Sequence, residues 1–132
     1  MEKLRESEIR SESLELVVET YRIMQILPES VEHKFKIDFL NISFLISSQI
    51  ADAFSALQND QAEDNVKNAL KGINDLSDHL KTLDEEKFTA QKELNEIRHL
   101  VSRIQEDLEV FLATLQIIKL DRFSPKLEKT CI

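Results

Sequence analysis

The sequence predicts an all-α fold, an antiparallel up-down-up-down four-helix bundle. Three observations carry that prediction: one Gly and two Pro in 132 residues, four apolar stripes at helical spacing, and three short breaks between them. Sheets and tight turns draw on Gly for positive φ and on Pro for a fixed φ, so a chain this poor in both has helix as its readiest regular structure. Apolar residues make up 42% and charged residues 32%, enough hydrophobicity to drive burial and well above the composition of disordered chains. A chain of this length can bury a core without disulfides or metals. One domain is therefore expected, with an N-terminal extension over 1–10, the bundle over 11–119 and a C-terminal tail over 120–132.

The first helix runs from about Ser11 to the break Leu27-Pro28-Glu29-Ser30, where Pro28 removes a backbone donor and turns its predecessor away from helical dihedrals. The second break is Gln58-Asn59-Asp60, with Asp60 placed to cap a helix and Glu63 at the reciprocal capping-box position. A third break is expected at Thr82-Leu83-Asp84-Glu85, which has the same Thr-x-x-Glu spacing and an acidic first turn suited to a helix dipole. Connections this short force antiparallel neighbours.

Each segment carries its own stripe. In the first it reads Leu14, Val17, Tyr21 and Met24, reinforced by Val18 and Leu27, with Glu15, Glu19 and Arg22 on the other side. The third reads Ala62, Val66, Ala69, Ile73, Leu76, Leu80 and Leu83, with Lys67, Lys71, Asp75 and Asp78 outside. The fourth reads Leu94, Ile97, Val101, Ile104, Leu108, Phe111, Leu115 and Ile118, a heptad stripe on the longest helix, on the order of 50 Å.

The second helix is overloaded. Its core stripe of Phe35, Phe39, Ile42, Ile46, Ile50, Ala53 and Phe54 leaves Ile37, Leu40, Phe44 and Leu45 with no place on the same face. A helix that is apolar nearly all round must be covered on more than one side, whereas each member of a small bundle normally turns one side to water. Self-association is the expected cover, with Ile37, Leu40, Phe44 and Ser48 as the oligomer interface. The competing reading, that helix tilt and the long fourth helix bury this second face within one chain, stays open at the level of sequence.

Charge narrows the partners. The net charge of −8 is spread evenly, since segments 1–28, 29–58, 59–83 and 84–132 each carry −2. Phosphate neutralisation needs clustered Lys and Arg, so this distribution argues against strong, unaided nucleic-acid binding. The one net-positive stretch starts at Lys119, with Arg122, Lys126 and Lys129 against Asp121 and Glu128. Cys131, the single cysteine, has no partner for an internal disulfide, which fits a reducing cytoplasm. Residues Met1 to Ser13 lack the apolar core of a signal peptide, and the longest uncharged run, Phe39 to Ala51, is too short and too polar to span a bilayer. A cytoplasmic protein without membrane contact is expected.

No catalytic, cofactor or metal site emerges. A di-iron bundle needs two Glu-x-x-His motifs and two further inward Glu, and one such motif occurs, Glu96 to His99, with His99 off the core stripe. His33 and His79 have no Glu three residues before them. Asp75 and His79 share a helical turn and could share a hydrogen bond, but neither nucleophile nor cleft is visible beside them. Gly72, alone inside a helix, reads as a close helix contact. Ser43, Ser47, Ser48 and Gln49 either back-bond to helix carbonyls, the commoner case, or line an interface.

Three stretches carry a family resemblance: Leu16-Val17-Val18-Glu19-Thr20-Tyr21-Arg22 followed by Leu27-Pro28; Ile46-Ser47-Ser48-Gln49-Ile50-Ala51-Asp52-Ala53-Phe54; and Ala69-Leu70 with Asp75-Leu76 and Leu80. Over about residues 13 to 83 the pattern resembles the bacterial four-helix-bundle family encoded within intervening sequences of large-subunit rRNA genes. The accessory variability determinant of diversity-generating retroelements is similar. The middle stretch is the most specific, being like the family's Ile-Pro-Ser-Asn-Ile-Ala-Glu-Gly-Phe. The resemblance implies a ring-like homo-oligomer, commonly a pentamer, without catalytic residues of its own. This chain departs from the family where Leu40-Asn41 replaces a basic pair and where Ser47 and Ala53 replace Pro and Gly. The expected function is a non-enzymatic scaffold or accessory factor for a nucleic-acid-processing partner such as a reverse transcriptase. The alternative is direct RNA binding tied to rRNA intervening sequences.

Overall fold

The structure is a computed structural model describing residues 6–57 and 60–131, with side chains described as far as Leu120. Four helices make up the fold: α1 (Glu6–Ile26), α2 (His33–Ser55), α3 (Gln61–Glu85) and α4 (Gln91–Cys131). α1 packs beside α2 and α4, and α3 beside α2 and α4, so the four close into a square with antiparallel neighbours. Among the described residues there is no strand.

The first break lies where Pro28 predicts it. α1 ends at Ile26, Leu27 N–H donates to the Met24 carbonyl, Val31 N–H donates to the Pro28 carbonyl at 3.1 Å, and Leu27 and Val31 anchor the turn in the core. At the second break Asp60 holds the N-cap position, but its side chain makes no capping hydrogen bond. The expected capping box does not form, because Glu63 turns forward to Lys67, 2.9 Å away, instead of back to the cap. Gln58 and Asn59 lie outside the described residues.

The third break differs from the sequence expectation. Thr82, Leu83 and Asp84 remain inside α3, where Thr82 Oγ1 donates to the Asp78 carbonyl and Leu83 is fully buried. Burial of Leu83 outweighs the local capping signal. α3 stops one turn later: Lys87 takes a left-handed φ of 56°, Phe88 N–H reaches back to the Leu83 carbonyl (3.0 Å) and Lys87 N–H to that of Asp84 (3.1 Å). This is a Schellman closure, with Phe88 folded onto the core as its hydrophobic contact. It is made with lysine at the position glycine usually takes.

The stripes of α3 and α4 are buried as expected from Ala62 to Leu83 and from Leu94 to Leu115, while Ile118 is exposed. The α2 stripe is likewise inward, with Phe35 and Ile42 at its edge. Phe54 and Phe111 stack across the bundle end at 4.6 Å between ring centres. Gly72 is the predicted close contact, since a Cβ there would lie 2.8 Å from Ile46 Cγ1.

α1 overturns its expected orientation. The buried face is Ile9, Ser13, Leu16, Thr20, Ile23 and Leu27, whereas Leu14, Val18 and Tyr21 are exposed and Val17 and Met24 are half-buried. Two hydroxyls sit in the core face, and each is satisfied on its own helix: Ser13 Oγ donates to the Arg10 carbonyl at 2.9 Å and Thr20 Oγ1 to that of Leu16 at 2.7 Å. Back-bonding of this kind removes most of the cost of burying a hydroxyl, so the mixed stripe packs inward. The purely apolar stripe is left outside.

α4 has 41 residues and extends about 60 Å, against about 38 Å for α3. Its backbone continues through the segment expected as a tail, 120–132, as far as Cys131, with Pro125 inside it. The Cys131 side chain lies outside the described residues, as do residues 1–5 of the expected N-terminal extension; α1 already begins at Glu6.

Candidate interaction surface

The four residues assigned to an interface lie along one outer side of α2 at spacings of three and four. Ile37, Phe44 and Ser48 are exposed, and Leu40 is half-buried on the side turned toward α1. Register with α1 is fixed by the contact between the Ser13 and Ser47 hydroxyls, 3.4 Å apart. In an antiparallel pair that contact sets Leu14 level with Ile46 and Val17 level with Ser43. At about 100° per residue, Leu14, Val17 and Tyr21 then stand on the α2-facing side of α1, with Val18 outermost. The opposite side of α1 is turned to α4, where Glu12 meets Arg103 and Arg22 meets Glu93 and Glu96.

The outer faces of α1 and α2 therefore join into one apolar surface, Leu14, Val18 and Tyr21 from one helix and Ile37, Leu40 and Phe44 from the other. Leu14 and Val18 are 61% and 62% exposed and Phe44 is 53% exposed, so each has most of a side chain to bury. Tyr21 brings a polar tip, its hydroxyl accepting from Gln25 Nε2 at 2.8 Å. Contiguous exposed apolar side chains are a common mark of interaction sites on protein surfaces. The sequence reading found the α2 half and placed the α1 half in the core. The signal that would have separated them was the second stripe of α1, Ile9, Leu16 and Ile23, disguised by Ser13 and Thr20.

The Ser-rich segment divides between the two roles considered for it. Ser43 donates to the Leu40 carbonyl at 2.7 Å, Ser47 meets the Ser13 hydroxyl, and Ser48 is exposed on the apolar face. His79 does not pair with the Asp75 carboxylate. Its Nδ1–H donates to the Asp75 backbone carbonyl at 3.0 Å, and its ring lies against Phe35, 4.8 Å between centres.

Polar groups gather along the α1–α4 seam. Glu15, Glu19, Asn95, Glu96, His99, Leu100 and Arg103 line an open groove of about 530 Å³. Arg22 binds Glu19 at 2.7 Å beside it. Farther along, Glu12 is largely buried near Asp107, Glu8, Glu106 and Arg103. Burial pushes the Glu12 carboxyl up to about 7, a hydrogen bond and the negative charge of Asp107 add to the rise, and Arg103 opposes it. At the third break, Asp84 accepts from Gln91 and Arg98, which hold it below the usual carboxylate range. These contacts tie helices together. Among the described residues no three His, Cys, Asp or Glu side chains converge to hold a metal ion, and no helix is long and apolar enough to cross a membrane.

No protein-family model matches this chain, and no curated protein matches its sequence. Among solved structures, the chain is similar to a protein of unknown function from the S23 ribosomal protein family of Bacteroides thetaiotaomicron. The two superpose with a TM-score of 0.75 at 19% identity, over 82% of this chain and 97% of that one. The likeness is one of fold. It extends to most of the bundle and nearly all of the neighbour, so the four-helix arrangement described above is a whole-domain architecture.

Proposed function

We propose that this protein is a non-enzymatic bundle that assembles with copies of itself and serves as a scaffold or accessory factor. The observation that carries the reading is the continuous apolar surface on α1 and α2. A monomer would hold Leu14, Val18, Tyr21, Ile37 and Phe44 in water, while the same chain keeps every exposed position of α3 polar or charged. Fully burying a side chain of this type is worth roughly 1.5–3 kcal/mol, so even partial cover of five of them gives a substantial driving force for association. The resemblance to intervening-sequence-encoded proteins, with their ring-like, commonly pentameric assemblies, supports the same reading. A nucleic-acid-processing protein such as a reverse transcriptase is the partner this resemblance favours.

Light scattering on the purified chain tests the assembly. We expect a mass that is a multiple of the 15.3 kDa protomer, and a fall to 15.3 kDa for Phe44→Glu and Leu40→Glu. A wild-type monomer at tens of micromolar would end the proposal. Direct RNA binding is the competing function; retention of RNA at 150 mM salt would support it, because only real phosphate contacts survive that screening.

A further inference from the structure

One end of the α1–α4 seam holds a cavity of about 320 Å³ lined by Glu8, Glu12, Arg103, Glu106 and Asp107. Spacings of four put Glu8 one turn from Glu12 on α1 and Arg103 one turn from Asp107 on α4, and the two pairs face each other across the seam. Four carboxyls thus meet one guanidinium. Arg10, the other cation of this stretch of α1, is turned aside: its Nε lies 3.1 Å from Glu6 and its guanidinium stands over the Phe54 ring, 5.6 Å from the centre. Among the described residues, none of α2 or α3 lines the cavity.

Glu12 is the buried member. Its side chain is 16% exposed, Arg103 Nε approaches its Oε2 at 3.7 Å, and no donor among the described residues reaches its Oε1. A buried carboxylate oxygen without a donor is costly, and the group that Glu12 bonds to is another carboxyl, Asp107. Two carboxyls bond to each other when one of them carries a proton, so a proton on Glu12 makes it the donor of that bond. The contact holds a part of α1 that has little else to hold it. Within residues 6–12 only Ile9 places a large apolar side chain in the core, whereas farther on Leu16, Ile23 and Leu27 anchor the helix.

We propose that the Glu12–Asp107 pair is a proton-controlled latch: with the proton in place residues 6–13 lie closed on α4, and without it they open while the core beyond them stays folded. Two facing carboxylates then stand beside Glu8 and Glu106 with Arg103 as the one cation lining the cavity, and repulsion replaces the bond. The latch works near neutral pH, because burial, and then the hydrogen bond and charge of Asp107, push the Glu12 carboxyl up from 4.5 to about 7. A group raised in the closed state favours closure fully below 4.5 and loses that contribution as pH rises through 7. Opening lifts Ile9 and Arg10 from their places and uncovers the Phe54 ring, 8% exposed when the latch is shut. The outcome is one segment that opens by itself, not a general weakening of the bundle.

Amide hydrogen exchange of the full chain at pH 5 and pH 8, in increasing low urea, separates these outcomes. The amides of 10–13, which bond back to the first described turn of α1, should lose protection by about tenfold or more between the two pH values, after correction for the intrinsic pH dependence of exchange. At pH 8 their exchange should be almost independent of urea, as for an opening that exposes little surface. Amides of α3 such as those of Ile73 and Leu76 should stay far better protected and respond steeply to urea. Glu12→Gln supplies an N–H donor in place of the proton, and Asp107→Asn supplies one from the other side, so each should keep 10–13 closed at pH 8; either serves where the other fails to fold. The latch is overturned if 10–13 share the protection and urea response of α3 at pH 8, if their protection is the same at both pH values, or if a folded Glu12→Gln or Asp107→Asn keeps the wild-type pH change.

Discussion

α3 and the α1/α2 pair solve the same packing problem differently. α3 buries Ala62 through Leu83 and turns only polar or charged residues outward, among them Lys67, Lys71, Asp75 and Asp78. α1 and α2 bury comparable stripes and still present Leu14, Val18, Tyr21, Ile37 and Phe44 to the outside. Since α3 shows that the fold needs no apolar exterior, the exterior of α1 and α2 answers to something other than folding of the protomer. On the proposed reading, the difference separates stability, which resides in the shared core, from association, which is assigned to one side.

The sharpest way to break the comparison is to truncate both stripes of α1. Leu16→Ala should destabilise the bundle by about 2–5 kcal/mol in urea unfolding, the range for a large buried side chain, whereas Val18→Ala should cost under about 0.5 kcal/mol to a protomer studied in dilute solution. Equal losses would mean that the two faces of α1 had been exchanged.

The polar seam on the other side of α1 offers a second contrast. The Glu12 carboxyl has its folded-state pKa raised from an ordinary 4.5 to about 7, so its protonated form favours the fold. That contribution is present below pH 4.5 and is lost as pH rises through 7, and stability should fall over this window by roughly 1–3 kcal/mol. Comparing urea midpoints at pH 5 and pH 8, Glu12→Gln should show a smaller fall than wild type. Asp107, Glu8, Glu106 and Arg103 face this group and remain as the common background.

Two glycine exchanges probe the α2–α3 contact and the α3–α4 turn. Gly72→Ala should lower stability by roughly 1–2 kcal/mol, because the clash with Ile46 outweighs the ~1 kcal/mol that alanine contributes to a helix interior. Lys87→Gly should raise the thermal midpoint slightly, by the few degrees that about 0.5–1 kcal/mol represents, because it relieves a left-handed lysine at the end of α3.

Much of the fold was legible in the sequence because its signals were redundant. The α3 stripe, the α4 stripe and the Pro28 break each rest on several residues that agree. Where one local signal had to decide, it misled. Thr82 to Glu85 has the spacing of a capping box, yet Leu83 belongs to the core and the helix runs past it to a turn built on Lys87, a residue that gives no hint of a left-handed φ. On α1 the choice between two stripes depended on whether Ser13 and Thr20 could be buried, and their bonds to Arg10 and Leu16 carbonyls are invisible to a reading of hydrophobic period. The α2 half of the candidate surface was legible because Ile37, Leu40 and Phe44 could not share a face with Phe39 and Ile46. The α1 half was hidden because apolar residues are assigned inward by default.

The chain contains one tyrosine and no tryptophan, and that tyrosine, Tyr21, stands on the apolar surface. Its fluorescence therefore reports directly on whether the surface is covered. Quenching by iodide should be weak at high protein concentration, rise on dilution as copies separate, and be strong at every concentration in Phe44→Glu. Equal quenching at all concentrations, and equal in wild type and Phe44→Glu, would contradict the claim that copies of this protein meet through α1 and α2.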